Sequence, residues 1–174
     1  LGLGGIGLQV AKRANAFDMR ILAVDPVATE KPNYVEDLWR ADQLHQMLRQ
    51  SDFLAICCPL TPQTQGIIST TEFGVMKETA FLVNIARGRI VDQPALIEAL
   101  QTNQIAGAGL DVTEPEPLPA GNPLWEMENV IITPHHAGQS PKSAPRIFQV
   151  LCENLKRFCN NQSLISVVDK RQWF

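Results

Sequence analysis

With 174 residues, the chain is long enough for one domain with a substantial core and too short for two comfortable ones. Hydrophobic residues make up 45% and charged residues 19%, which excludes a disordered chain or a coiled coil, and a formal net charge of -3 gives no electrostatic footprint for nucleic acid or an anionic membrane. No apolar stretch approaches the roughly 18 residues a membrane span needs and no signal-peptide pattern is present, so the cytoplasm is the expected compartment.

The chain opens on Leu1 and a glycine loop with no strand before it, so it reads as cut at its beginning, with the first strand of its sheet largely missing. Ile6, Val10, Ala14 and Phe17 recur every three to four residues, which predicts an amphipathic helix over Ile6 to Phe17. Apolar runs of strand length follow at Ile21 to Val24, Phe53 to Cys58, Phe81 to Ile85, Ala106 to Val112 and Val130 to Thr133. They lack polar alternation, as strands buried on both faces of a parallel sheet do. Helical patterns lie between them at Ala41 to Gln50, Thr70 to Lys77 and Pro94 to Leu100. In the last of these, Asp92 stands two residues before a proline suited to a first helical turn. Strand and helix alternate, which predicts a doubly wound parallel α/β sheet of Rossmann type. Between Val112 and Val130 the prolines at 115, 117, 119 and 123 forbid a long helix. A final helix, about Lys142 to Cys159, carries a wide stripe of Ala144, Ile147, Leu151, Leu155 and Phe158, with Phe148, Cys152 and Cys159 beside it, and is expected to be largely covered, with the absent part of the molecule as the covering partner.

The organisation expected is one dinucleotide-binding domain over residues 1–174, whose segment from about 140 to 174 returns toward a substrate domain absent from this sequence. Cys57 and Cys58 are adjacent in an apolar run, and Cys152 and Cys159 lie in a helical pattern. That spacing holds no metal, so the four thiols read as small apolar residues in a reducing compartment.

Gly2, Gly4 and Gly7 form G-x-G-x-x-G. The first glycine permits a tight turn, the second lets backbone approach a pyrophosphate, the third lets helix pack against strand, and the helix N-terminus stabilises the phosphate charge. A strand follows the helix and ends at Asp25, near the separation at which a carboxylate accepts the ribose hydroxyls of NAD. Such a carboxylate repels the additional phosphate of NADP, and Pro26, Val27 and Ala28 supply no arginine to hold one, so NAD is the cofactor expected. Asn84-Ile85-Ala86-Arg87-Gly88, Asp111 to Pro117, and Thr133-Pro134-His135 each follow a predicted strand, where an open α/β sheet faces its ligand.

With these motifs in this order, the sequence resembles the D-isomer-specific 2-hydroxyacid dehydrogenase family. The likeness rests on the glycine loop, Cys58-Pro59-Leu60-Thr61-Pro62 with Thr64 and Gly66, Asn84 to Gly88, Gly109 to Val112, Glu116-Pro117 and Thr133-Pro134-His135. It implies an NAD-dependent enzyme that interconverts a small 2-hydroxy acid and its 2-oxo acid, of the glyoxylate/hydroxypyruvate or phosphoglycerate type, with a homodimer as the intact protein. It implies His135 as acid and base, Glu116 as its partner and Arg87 as the cation that binds and polarises the substrate, roles that suit the chemistry of imidazole, carboxylate and guanidinium. Cofactor contacts are implied at Gly2, Gly4, Gly5, Ile6, Gly7, Asp25, Cys58, Pro59, Thr64, Ala86, Arg87, Asp111 and His135, with Asp111 on the nicotinamide carboxamide. His136 stands beside His135 and competes for its role, and the side chain of Asn84 stays open between function and structure. The alternative within the family is an NAD-responsive interaction protein of the corepressor type. Without a substrate domain, the chain as given is expected to be inactive by itself.

Overall fold

The alternation of apolar runs and amphipathic stretches becomes an α/β sheet in the computed structural model, which describes residues 1–171. The chain divides into two units, Leu1–Pro134 and the part from His135 onward. In the first, helix α1 (Gly5–Asn15) leads to strands β1 (Leu22–Val24) and β2 (Asp37–Trp39), then to α2 (Leu44–Leu48), β3 (Phe53–Ile56), α3 (Thr70–Phe73), β4 (Phe81–Asn84), α4 (Gln93–Gln101), β5 (Gly107–Leu110) and β6 (Val130–Ile132). The strands pair in parallel, β1 with β2 in one sheet and β3-β4-β5-β6 in another.

Leu1 and Gly2 stitch the two sheets together. Gly2 N–H donates to the Val24 carbonyl at 2.8 Å, the Leu1 carbonyl accepts from Cys57 N–H at 2.8 Å, and the Leu1 amine donates to the Ala55 carbonyl at 2.8 Å. Strand order therefore reverses at the glycine loop, outward to β1 and β2 on one side and to β3 through β6 on the other. This is the doubly wound order the sequence predicts, and ligands of such sheets bind at the reversal.

The two faces of the four-stranded sheet differ. Leu54, Leu82 and Ala108 stand in register on one face with Ile56, Asn84 and Leu110, all at most 4% exposed. They share a core with Met47 and Leu48 of α2, Phe73 of α3 and Leu96 and Ala99 of α4. The other face carries Phe53, Phe81 and Ile131, which are 56%, 41% and 71% exposed, and Phe53 stacks on Phe81 with ring centroids 5.6 Å apart. The expectation of strands buried on both faces is corrected here. A continuous apolar run shows that both faces repel water, not that both are covered.

Each strand is shorter than its apolar run, because a parallel ladder ends where a neighbour turns away. β3 stops at Ile56 rather than Cys58, since Cys57 and Cys58 leave the ladder beside Gly2. Strand β2 was not expected: Asp37-Leu38-Trp39 is no apolar run and is only half-buried, and β1 recruits it by pairing. Residues 41–50 give a 3₁₀ turn at Ala41–Gln43 and then the short α2, not one helix. The helix expected to reach Lys77 ends at Phe73, with Gly74 as its C-cap. Helix α4 agrees with its signal, with Asp92 Oδ1 accepting from Ala95 N–H at 3.2 Å and Pro94 in the first turn. The proline-rich join holds one 3₁₀ turn, Pro123–Trp125.

The second unit carries α5 (Ser143–Cys159). Asn154 ties the helix to the tail: its Nδ2 donates to the Ile165 carbonyl at 3.0 Å and its Oδ1 accepts from Ile165 N–H at 2.9 Å. The stripe, whose expected cover lies outside this sequence, is on the surface of the described residues, with Ile147, Leu151 and Phe158 at 69%, 53% and 72% exposed. Among the described residues this unit has no second helix or strand to cover it. The thiols are less uniform than expected: Cys58 is buried, Cys57 and Cys152 are half-buried, and Cys159 is exposed.

Candidate active site

The glycine loop is built by exclusion. Gly2 has φ +89°, and a Cβ on it would lie 2.6 Å from the Cys58 nitrogen; Gly7 faces the Gly2 carbonyl so closely that no side chain fits between them. Gly4 is extended at the N-cap of α1 and makes no side-chain capping bond, so Gly5, Ile6 and Gly7 bring to the exposed turn N–H groups that no helical carbonyl satisfies. Gly4, Gly5 and Ile6 are exposed. A turn compressed to backbone, with donors and a helix dipole at its mouth, fits the pyrophosphate of a dinucleotide.

Asp25 lies one residue past β1 and is tied to that loop. Its Oδ2 accepts from Leu3 N–H at 2.8 Å and its Oδ1 from Val27 and Ala28 N–H, each at 2.8 Å. Burial opposes its charge, but the three backbone donors, from Ala28, Leu3 and Val27, outweigh burial and hold the carboxyl below the ordinary aspartate range. A carboxylate has about four acceptor sites. Oδ2 thus keeps capacity for a ribose hydroxyl after anchoring the loop.

The expectation of NAD rested on the Asp25 carboxylate and on the absence of an arginine in Pro26–Ala28. Tertiary structure brings one from elsewhere: Arg40 Nη1 donates to the Pro26 carbonyl at 2.5 Å. The sequence held no local sign of it, because the approach depends on the pairing of β1 with the unexpected β2.

Along the edge, Pro59 is exposed while the Cys58 side chain turns into the core, where burial pushes its thiol up. What Cys58 presents to the glycine loop is backbone. Thr64 closes its own turn, its Oγ1 donating to the Pro59 carbonyl at 2.6 Å and accepting from Thr61 N–H at 2.8 Å.

At the end of β4, Asn84 is buried within the core and its amide wraps the next turn. Oδ1 accepts from Ala86 N–H at 3.0 Å and Nδ2 donates to the Arg87 carbonyl at 2.9 Å. The backbone of Arg87 is thereby fixed while its side chain is exposed, with Nη1 donating to the Ala86 carbonyl at 2.6 Å. The loop is braced against the segment after β5, where Arg89 pairs with Glu114 at 3.1 Å and Gln93 Oε1 accepts from Glu114 N–H at 3.0 Å. Asp111 is buried, and its Oδ1 accepts from Thr133 Oγ1 at 2.5 Å. Glu116 is exposed three residues beyond Thr113. The structure thus gathers Ala86, Arg87, Asp111 and Thr133 at the carboxyl ends of adjacent strands. His135 and His136 open the second unit, both exposed, and His135 has a left-handed backbone with φ +55°.

A cavity of about 820 Å³ runs alongside β1 and β3, lined by Gly2 and Gly7 of the glycine loop and by Val10, Met19, Leu22 and Phe53 among others. Its lining is mainly apolar and holds none of Asp25, Arg87, Asp111, Glu116 or His135, so the carboxyl edge, not this cavity, is the candidate site.

Residues 1–137 match the family model described as D-isomer specific 2-hydroxyacid dehydrogenase, NAD binding domain. A glyoxylate reductase from Korarchaeum cryptofilum is 43% identical over 159 residues, covering 91% of this chain and 47% of the relative. A D-3-phosphoglycerate dehydrogenase from Methanocaldococcus jannaschii is 37% identical over 169 residues, covering 97% of this chain and 32% of the relative. The chain therefore spans less than half the length of either. A D-isomer specific 2-hydroxyacid dehydrogenase from Xanthobacter autotrophicus, solved in complex with NADPH and MES, superimposes with a TM-score of 0.91 at 32% identity, covering 99% of this chain and 70% of that one.

Proposed function

Because the chain belongs to the D-isomer-specific 2-hydroxyacid dehydrogenase family, as its NAD-binding domain, we propose that it serves a dehydrogenase that interconverts a small 2-hydroxy acid and its 2-oxo acid. The observation that carries this reading is the glycine turn compressed against Cys58, with Asp25 bound to the Leu3 N–H at its edge. The relatives described above are named as enzymes, and none is named as a corepressor.

A nicotinamide cofactor bound there supplies or accepts the hydride. The N–H groups of Gly5, Ile6 and Gly7 hold the pyrophosphate, Asp25 accepts from the adenosine ribose, and Asp111, oriented by Thr133, accepts from the carboxamide. NAD is preferred because Asp25 keeps its charge. Arg87 binds the substrate carboxylate and polarises the carbonyl with its fork of donors. His135 gives the proton to the new hydroxyl, and Glu116 is the carboxylate assigned to act with it. As the family resemblance implies, we propose a homodimer for the intact protein.

The test separates the two histidines in the full protein its gene encodes, with glyoxylate and hydroxypyruvate as substrates. His135→Ala is expected to lower kcat on the order of a hundred- to ten-thousandfold, the usual value of a general acid, with the dissociation constant for NADH unchanged. His136→Ala is expected to keep most activity. The reverse pattern would make His136 the proton donor, and loss of NADH binding in neither the glycine-loop variant Gly2→Val nor Gly7→Val would remove the cofactor site from this loop.

A further inference from the structure

We propose that Arg40 is a binding residue for the 2′-phosphate of NADP, so that this site takes NADPH as a second cofactor besides NADH. The inference rests on the reading above for where the dinucleotide lies. It begins from register: Val24 of β1 pairs with Trp39 of β2, and Asp25 N–H donates to the Trp39 carbonyl at 3.0 Å. One step further along both strands stand Asp25 and Arg40, neighbours on the same edge of a parallel ladder. Neighbours in register in a parallel pair project to the same side of the sheet. The guanidinium reaches the turn after Asp25 and bonds the Pro26 carbonyl at 2.5 Å.

Two further observations fit an anion there. Arg40 is exposed, and among the described residues that one carbonyl is the only acceptor on its side chain, so most of its five donors remain for a ligand. The Asp25 carboxylate, which would otherwise repel a phosphate, already accepts from three backbone N–H groups. Its charge is spread over those donors and its remaining acceptor capacity suits one ribose hydroxyl. A planar guanidinium beside that hydroxyl's position meets a phosphate with two parallel donors, a match that a lysine's point charge does not make. Asp25 thus sets the preference for NAD, and Arg40 relaxes it.

The experiment measures dissociation constants by calorimetry for NADH, NADPH, AMP and 2′-phospho-AMP, on the full protein its gene encodes. In Arg40→Ala the loss of affinity for NADPH should exceed the loss for NADH by about tenfold, one charge-assisted contact, with the same excess for 2′-phospho-AMP over AMP. Arg40→Lys should restore part of the NADPH affinity, and added salt should weaken NADPH more than NADH in the unmutated protein. Equal losses for both cofactors would make Arg40 a structural brace for the Pro26 turn and overturn the inference, as would an unmutated protein that binds NADH but not NADPH. Binding of neither cofactor would overturn the dehydrogenase reading as well.

Discussion

The two ends of the carboxyl edge are stabilised in opposite ways. Beside β1 a side chain is held by backbone: the Asp25 carboxylate is fixed by the N–H groups of Leu3, Val27 and Ala28. After β4 a backbone is held by a side chain: the Asn84 amide clasps Ala86 and Arg87, and the guanidinium of Arg87 stands exposed. The first arrangement suits a group that must keep its charge and its place. The second suits a group that must reach for a substrate from a rigid base. On the roles proposed above, recognition of a constant cofactor and handling of a reacting molecule call for different local designs along one edge.

That contrast can be broken at the Arg87 end first. Arg87→Ala in the full protein should lower kcat/KM for a 2-oxo acid on the order of a hundred- to a thousandfold, as loss of one donor to a developing oxyanion does, and leave NADH binding unchanged. An equal loss in NADH affinity would assign Arg87 to the cofactor instead. Asn84→Ala should act next, through position alone: kcat/KM falls roughly ten- to a hundredfold as the turn loosens, and stability falls by about 1–3 kcal/mol because the Ala86 N–H and the Arg87 carbonyl lose their partner. If denaturant midpoints fall while kcat/KM stays level, the clasp serves folding only.

The Asp25 end should respond most weakly in turnover and most clearly in acid. A carboxyl whose folded pKa lies below its unfolded value contributes stability that is present above the unfolded value, about pH 4, and is lost as pH falls through the folded one. Asp25→Asn should therefore flatten the acid limb of the stability curve between pH 5 and the acid transition, a range set by about these pKa values, and narrow the preference for NADH over NADPH. An unchanged acid limb in urea titrations would show that the three N–H bonds do not persist in solution.

Much of this was legible in the sequence because the signals were local. The glycine spacing sets a turn that no side chain permits, Asp92 and Pro94 set the start of α4, and the apolar runs set five strands, each a matter of a few adjacent residues. The motifs after the runs fall at strand ends, since a run must stop where its polar residues begin. Asn84 was visible as part of a motif, but its clasp was not, because Asn, Asp and Ser all turn chain locally and only burial shows what the amide must satisfy.

What tertiary structure decided were the matters that depend on a neighbour. Asp37-Leu38-Trp39 is a strand only because β1 pairs with it, and Arg40 reaches the Asp25 turn only because of that pairing. Phe53, Phe81 and Ile131 are as apolar as Leu54 and Leu82, yet only the latter face is covered, since hydrophobicity states what a side chain avoids and not what lies against it. The same holds for the stripe of α5. A sequence fixes periodicity, turn chemistry and charge through short-range sterics, whereas register and coverage are settled by which distant segment arrives, which only the folded chain specifies.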